Sequence, residues 1–489
     1  MNRTIIGRKK ELVLLNKLAR SIDPEFLVIW GRRRVGKTFL LEQFFTKQKC
    51  LFFQVTGLRD GTFHDQLEIF RKALIETFFP GMLIKNFSNW MEALDQLTVG
   101  IEKLPKNKRV VLLFDELPWL ATQKSKLLPS IDHYWNTKWS KREGLLFIAC
   151  GSAASWMLKK IIYAKGGLHN RITSKISLKP LSLSEAKQQL VAQGFSRSNE
   201  QVLQIYLAFG GIPYYLKQVD ASLSAIQNIN QLCFNQDGLL FDEFDKLFAS
   251  LFDHSEIYEG LIRIIAKYNQ GISRDDILKK IKFLSRGGWL STKLKELEEA
   301  GFIVSFVPYG KSRRDTFYKV IDEYVLFYLT WIEPVKQKLK NIREQANYWP
   351  NIAQNQQYKV WQGYAFEALC YKHIDEIIQT LGIENIAMGA SSWRYISKRA
   401  SKEQGVQIDL LIDRSDGVIN VCEIKCNSTP FSITKEYAES LKRKLAVFKC
   451  RSKVKQDLLL TFITLNGLKN NKYKEQLVRA SITWQDLFK

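Results

Sequence analysis

Long hydrophobic runs are missing from this chain of 489 residues. The longest, such as Phe26–Trp30 and Val110–Phe114, have the length of a strand and fall far short of the roughly twenty residues that span a bilayer. The opening Met1-Asn2-Arg3-Thr4 leads into neither an apolar core nor a small-residue cleavage site. No secretory leader and no membrane partner are therefore expected, and the cytoplasm is the expected compartment. Cysteine is sparse: seven residues, odd in number and scattered, suit a reducing compartment rather than a disulfide framework. The one close pair, Cys422 and Cys426, has no second pair or nearby histidine to complete a zinc site and reads as structural thiols. Low-complexity tracts and visible internal repeats are also lacking. That leaves an ordinary globular chain, too long for one core and expected to form two or three domains.

What is abundant is positive charge. Lys and Arg number 73 against 49 Asp and Glu, a formal +24. Such an excess favours polyanions through counterion release, with nucleic acid, and DNA in particular, the first candidate partner. Basic solubility is the plain alternative.

Phe26–Trp30 reads as a buried strand, followed by a Gly-rich turn and a helix from Lys37 to about Thr46. Further apolar runs at Leu51–Val55, Val110–Phe114 and Leu145–Cys150, with helical periodicity between them, indicate an α/β layer with a parallel sheet. The turn, Gly31-Arg32-Arg33-Arg34-Val35-Gly36-Lys37-Thr38, fits G-x-x-x-x-G-K-[ST] without a departure. Each residue type has its reason. Glycines let backbone N–H groups turn inward around phosphate oxygens, and the helix N-terminus adds partial positive charge. Lys37 would reach the β and γ phosphates of ATP, and the Thr38 hydroxyl would ligate Mg2+. Val110–Phe114 ends in Asp115-Glu116, and an acid at the end of a buried strand is costly unless it meets a cation. Asp115 would hold the magnesium and Glu116 would polarise the attacking water, although Glu116 also reads as an acid capping the next helix.

These residues resemble the archaeal-type ATPases, in the STAND branch of the AAA+ class. The resemblance is carried by Ile6-Gly7-Arg8-Lys9-Lys10-Glu11-Leu12, the three-arginine loop, and Leu113-Phe114-Asp115-Glu116. It continues through Cys150-Gly151-Ser152, Asn170-Arg171-Ile172-Thr173 and Gly210-Gly211-Ile212-Pro213-Tyr214-Tyr215-Leu216. It implies that Gly7 and Arg8 line the adenine pocket and that Ser152 reads the γ-phosphate. It also implies that Arg171 acts near the phosphates of its own or a neighbouring subunit, so a homo-oligomer stays open. Gly211 to Pro213 would couple a helical lid to nucleotide state. Asn170 departs from the pattern, which has glycine there.

From Tyr258 to Val320 lies a compact unit of three short helices and a two-stranded ribbon. The helices are expected over Tyr258–Lys267, from an N-cap at Ser273, and over Ser291–Ala300 with Gly301 as C-cap. Phe302–Pro308 and Thr316–Val320 alternate as a hairpin around a basic tip. This is a helix-turn-helix with a wing. The third helix would enter a groove while Lys311, Arg313 and Arg314 grip phosphates, or the module would pack on the ATPase as a lid. Glu296, Glu298 and Glu299 on the third helix weigh against the groove.

Near the C-terminus, Val406 to Asp413, an Asp416-Gly417 turn and Val418 to Cys426 form a hairpin. Glu423 and Lys425 share one face by period-two alternation, with Cys422, Ile424 and Cys426 facing the core. With Glu367 on an upstream helix from Trp361 to about Ile378, the set resembles the PD-(D/E)XK nuclease core, though its proline and first position are absent. That resemblance implies that Asp409, Glu423 and Glu367 bind magnesium, that Lys425 orients the attacking hydroxide, and that Lys435, Lys442, Arg443 and Lys444 meet a DNA backbone. Asp413 and Asp416 read as hairpin surface.

The expected architecture is α/β: a P-loop domain over 1–180, a helical lid over 181–255, a winged helix over 256–335, and linker helices with a PD-(D/E)XK-like domain over 336–489. The expected function is a magnesium-dependent ATPase coupling nucleotide state to the C-terminal parts on DNA. The alternative is a regulatory STAND ATPase whose C-terminal domain makes protein contacts without cleavage.

Overall fold

Apolar runs separated by helix-bearing connections can only pair side by side in one direction, because a crossover returns the chain to the end at which the strand began. In the computed structural model, which describes residues 4–163, 167–252, 254–281, 288–341, 348–395 and 405–488, this happens at four pairings. Strands β1 (Glu25–Trp30), β2 (Leu51–Thr56), β3 (Val110–Asp115), β4 (Leu145–Gly151) and β5 (Ser174–Ser177) form a sheet in the order β2-β3-β4-β1-β5. All its pairings are parallel. Every residue of β3 and β4 is buried, as expected for strands covered on both faces. Phe26, Phe53, Phe70, Phe114 and Phe147 pack edge-on or tilted in the core beneath one face. Because β4 lies between β1 and β3, its C-terminal end emerges between the turn after β1 and the acids after β3.

The chain divides into two compact units, Met1–Leu181 with Ala249–Asp253, and Ser182–Phe248 with His254–Lys489. No helix among the described residues is long and apolar enough to cross a membrane.

The second unit begins with helices, as the loss of strand periodicity near Pro180 predicts: Leu183–Ala192, Asn199–Phe209, Pro213–Leu216 and Ala225–Cys233. Ser182 and Ser224 start two of them with reciprocal capping boxes to Glu185 and Gln227. Next come helices Ser255–Ala266, Arg274–Lys280 and Trp289–Glu299 with strands β6 (Ile272–Ser273), β7 (Ile303–Phe306) and β8 (Phe317–Val320). The expected two-stranded ribbon is three-stranded, in the order β6-β8-β7, all antiparallel. Two residues are too few to show a period, which is why β6 is invisible in the sequence. The third helix also starts at Trp289 rather than Ser291.

The helix expected over Trp361 to Ile378 is two, Gln356–Lys372 and Ile374–Thr380. The break falls at buried His373, whose Nε2 lies 3.2 Å from the hydroxyl of Tyr206. The last sheet contains β9 (Ala387–Tyr395), β10 (Val406–Arg414), β11 (Val418–Lys425), β12 (Asp457–Thr464) and β13 (Ala480–Thr483), in the order β13-β12-β11-β10-β9. It is antiparallel from β9 to β11 and parallel from β11 to β13. Helix Lys435–Ser452 lays Val447 and Phe448 against Val406, Ile408 and Trp393. Burial on β11 does not alternate, because all residues from Ile419 to Ile424 are covered. Glu423 is therefore buried rather than solvated, and Cys426 falls just past the strand and is half-buried rather than fully in the core.

Candidate functional site

The turn between β1 and helix Lys37–Phe45 is shaped by what its glycines allow. A Cβ on Gly31 would sit 2.2 Å from the carbonyl oxygen of Leu178, so only glycine lets the loop pass there. Gly36 caps the helix at φ 92°, and Arg34 adopts φ 69°. The Lys37 ammonium is buried and donates to the carbonyls of Gly31 at 2.9 Å and Arg32 at 3.2 Å. Arg32 and Val35 are buried in the loop, and Arg33 is half-buried. Arg8, at φ 60° after Gly7 at φ 66°, donates to Val35 O at 3.0 Å and Lys179 O at 2.7 Å. It thereby braces the loop against the segment leaving β5.

The acids after β3 face this loop. The Thr38 hydroxyl donates to Asp115 Oδ2 at 2.8 Å, while Asp115 Oδ1 accepts from the N–H of Glu116 at 3.0 Å. Glu116 itself takes φ 45°, a left-handed conformation that a non-glycine residue adopts at some strain. Its carboxylate accepts from both the N–H (3.0 Å) and the hydroxyl (2.8 Å) of Ser152, the buried residue immediately after β4. The Cys150 thiol is buried beside Asp115; burial first, and the Asp115 charge second, push it well above its ordinary value. The sequence places Cys150 at the end of an apolar run and in the Cys150-Gly151-Ser152 segment that carries the resemblance, but does not reveal its approach to Asp115. Arg171 is exposed at the end of the short helical turn Gly167–Arg171, with no hydrogen bond or ion pair to the loop or acids among the described residues.

In the second unit, Glu367, Asp409 and Glu423 lie close enough to affect one another. Burial, then the charge of Asp409, pushes the Glu367 carboxyl up to about 7. Glu367 pairs at 3.9 Å with Lys319 of β8, a buried lysine that spacing did not single out. Asp409 accepts from Gln407 at 2.6 Å. Glu423 is held by Lys425 at 2.9 Å, Lys444 at 2.6 Å and the Tyr437 hydroxyl. Burial raises its carboxyl, but Lys444 and Lys425 outweigh that and keep it below the ordinary carboxylate value. Lys444 thus turns inward to an acid, not outward to a nucleic acid, whereas Lys435, Lys442 and Arg443 are exposed. Among the described residues no group of three or more His, Cys, Asp or Glu side chains is gathered to hold a metal ion. Lysines and an amide already occupy oxygens of these carboxylates, so a metal ion would have to displace them.

Lys311 and Arg314 are exposed between β7 and β8, and the Arg313 side chain lies outside the described residues. The glutamates expected to repel DNA are spent internally instead. Glu296 is buried against Tyr258 and Lys293, Glu298 accepts from Ser305 N at 2.7 Å, and Glu299 pairs with Lys295 at 3.7 Å. Asp416 is exposed and pairs with Arg414, as hairpin surface should.

A strand-to-helix phosphate loop on a parallel sheet, faced by an acid from the end of the strand two places along, defines a P-loop nucleotide-binding unit. Residues 5–219 match the family described as an ATPase domain predominantly from Archaea. The chain is 27% identical over 338 residues to an uncharacterized protein of Methanocaldococcus jannaschii, covering 67% of this chain and 69% of that one. Among solved structures it is similar to a Walker-type ATPase of Pyrococcus abyssi, with 20% identity and a TM-score of 0.48 over 66% of this chain and 96% of that one. It is also similar to the ORC2 protein of Aeropyrum pernix, with 14% identity and a TM-score of 0.43 over 69% and 96%.

Proposed function

We propose that the chain is a magnesium-dependent ATPase in which nucleotide state in the first unit governs a helical lid (181–255), a winged helix (256–335) and a nuclease-like sheet domain (336–489) acting on DNA. One observation carries the ATPase reading: the 2.8 Å contact of Thr38 with Asp115, next to the buried ammonium of Lys37. A hydroxyl and a carboxylate converging there are the oxygen donors that magnesium takes, so these two residues would hold it. Magnesium bound with ATP supplies charge neutralisation at the phosphate oxygens. Gly31 to Lys37 would bind the phosphates through main-chain N–H groups and the lysine, with Gly7 and Arg8 beside the base. Glu116 would accept the proton of the attacking water, and Ser152 holds its carboxylate in place through two hydrogen bonds. Arg171, exposed, is available to the nucleotide of a neighbouring subunit.

The test is calorimetric titration of the full chain with ATP and magnesium. Lys37→Ala should weaken binding by about 100-fold, the scale of a lost charge-assisted contact. Unchanged affinity in a folded variant would sink the assignment.

A second reading is favoured by the two ammonium groups on Glu423. In it the C-terminal domain binds without cutting, as in a regulatory ATPase. Magnesium-dependent cleavage of plasmid DNA that disappears in Asp409→Ala supports the nuclease; no cleavage by the wild type supports the second reading.

A further inference from the structure

A cleft of about 830 Å³ lies within the second unit, between the three-stranded sheet with its helix Arg274–Lys280 on one side and strands β9 and β10 on the other. Its two walls are joined at the backbone, where Tyr309 N donates to Ser392 O at 2.9 Å, and by a side-chain hydrogen bond from Gln270 to Gln407. It is not a generic apolar hollow. The rings of Tyr268, Tyr309 and Phe317 line it half-buried, each keeping some surface to offer. Lys280, Lys311 and Arg394 stand exposed on the lining, and Lys280 lies over the Tyr268 ring at 5.4 Å from its centre. Buried Lys319 lies deeper in the lining with Glu367 and Asp409.

We propose that this cleft binds a single-stranded segment of nucleic acid, with phosphates on the cationic rim and unstacked bases against the aromatic rings. Two features select that ligand. Rings interleaved with cations suit a polymer that alternates a flat π-face with a negative charge, and they read no particular sequence. The volume is that of a pocket enclosing a small organic ligand, enough for a few splayed nucleotides and too small for the body of a duplex. Lys319, paired with Glu367 at 3.9 Å, offsets part of the negative charge that Glu367 and Asp409 would otherwise present to a strand in the cleft. The inference rests on the nucleic-acid reading of the second unit and needs no cleavage.

The experiment uses the full chain in EDTA, so that cutting plays no part. Fluorescence anisotropy is read with labelled oligothymidylate or oligouridylate of about 12 nucleotides, a length within the usual site size for such grooves. A duplex of equal length is the competitor. Lys280→Glu with Arg394→Glu changes exposed side chains only. It should weaken single-strand binding at least about tenfold and lower the salt slope by about two. Tyr268→Ala should weaken it roughly fivefold or more while leaving that slope unchanged. Binding that prefers the duplex, or that these variants leave intact, would overturn the cleft while sparing the nucleic-acid reading. Failure of the wild type to bind either form would remove both.

Discussion

Two acid clusters stand out in this molecule, one at a strand end in the first unit and one around β10, β11 and a helix in the second, and their partners differ in kind. At the end of β3, Asp115 and Glu116 accept from a threonine hydroxyl, a serine hydroxyl and main-chain N–H groups, all neutral. Around β10 and β11, Glu367 and Glu423 face Lys319, Lys425 and Lys444. Neutral donors orient a carboxylate and leave its charge uncancelled, so a divalent cation entering that site gains the full attraction. Ammonium groups cancel the charge beforehand and must be displaced before a metal can enter. On the proposed ATPase reading, the first cluster is the one that would receive a cation. The second is already neutralised by its own lysines, so a metal ion there would have to displace them.

The sharpest way to break this contrast is Glu116→Gln. It keeps the two Ser152 donors near an acceptor of the same shape and removes only the negative charge. ATP hydrolysis should fall by about 10²–10⁴-fold, the range for loss of a general base, with nucleotide affinity nearly unchanged. Phosphate-release kinetics beside a binding isotherm check it, and persistent turnover would require another base.

Next in size is Glu423→Gln, which should act on stability rather than turnover. It leaves Lys425 and Lys444 beside a buried neutral group, at a cost of about 3 kcal/mol. Thermal unfolding of the variant at neutral pH should show it. The pH dependence has a definite sign. The native carboxyl of Glu423 is held below its ordinary value, so its contribution is present above the unfolded value of about 4.5 and is lost as pH falls through the lower native one. The wild-type advantage over Glu423→Gln should therefore shrink on acidification below about pH 4.5. An advantage independent of pH would mean that packing, not the ion pairs, is responsible.

The first cluster was far more legible than the second. Its loop is written in eight consecutive residues, and the acids follow a strand whose five apolar residues mark it as buried. The chemistry there is local to two strand ends. In the second cluster, Glu423 draws Tyr437 and Lys444 from helix Lys435–Ser452, and Glu367 draws Lys319 from the three-stranded sheet. Neither distance along the chain nor period-two alternation encodes those meetings. Alternation even misleads on β11, because a strand covered on both faces buries its acid with its apolar residues. On helix Trp289–Glu299 the pairs Lys293–Glu296 and Lys295–Glu299 lie at helical spacing, whereas Tyr258 on Glu296 and the Ser305 N–H on Glu298 come from other elements that spacing does not reveal.

The smallest expected effect tests how closely β4 serves β3. Ser152 donates twice to Glu116, once from its main chain and once from its hydroxyl, and only the second is removed by Ser152→Ala. The surviving N–H should keep Glu116 roughly in place against its strained backbone, so the loss is that of one hydrogen bond to a charged group, about 1.5–3 kcal/mol at most. Turnover should drop by about tenfold, well short of Glu116→Gln. Ser152→Ala combined with Glu116→Gln should be hardly worse than Glu116→Gln alone, because the serine acts through the carboxylate. If instead the two losses multiply in steady-state rates, Ser152 touches the nucleotide directly and its contact with Glu116 is incidental.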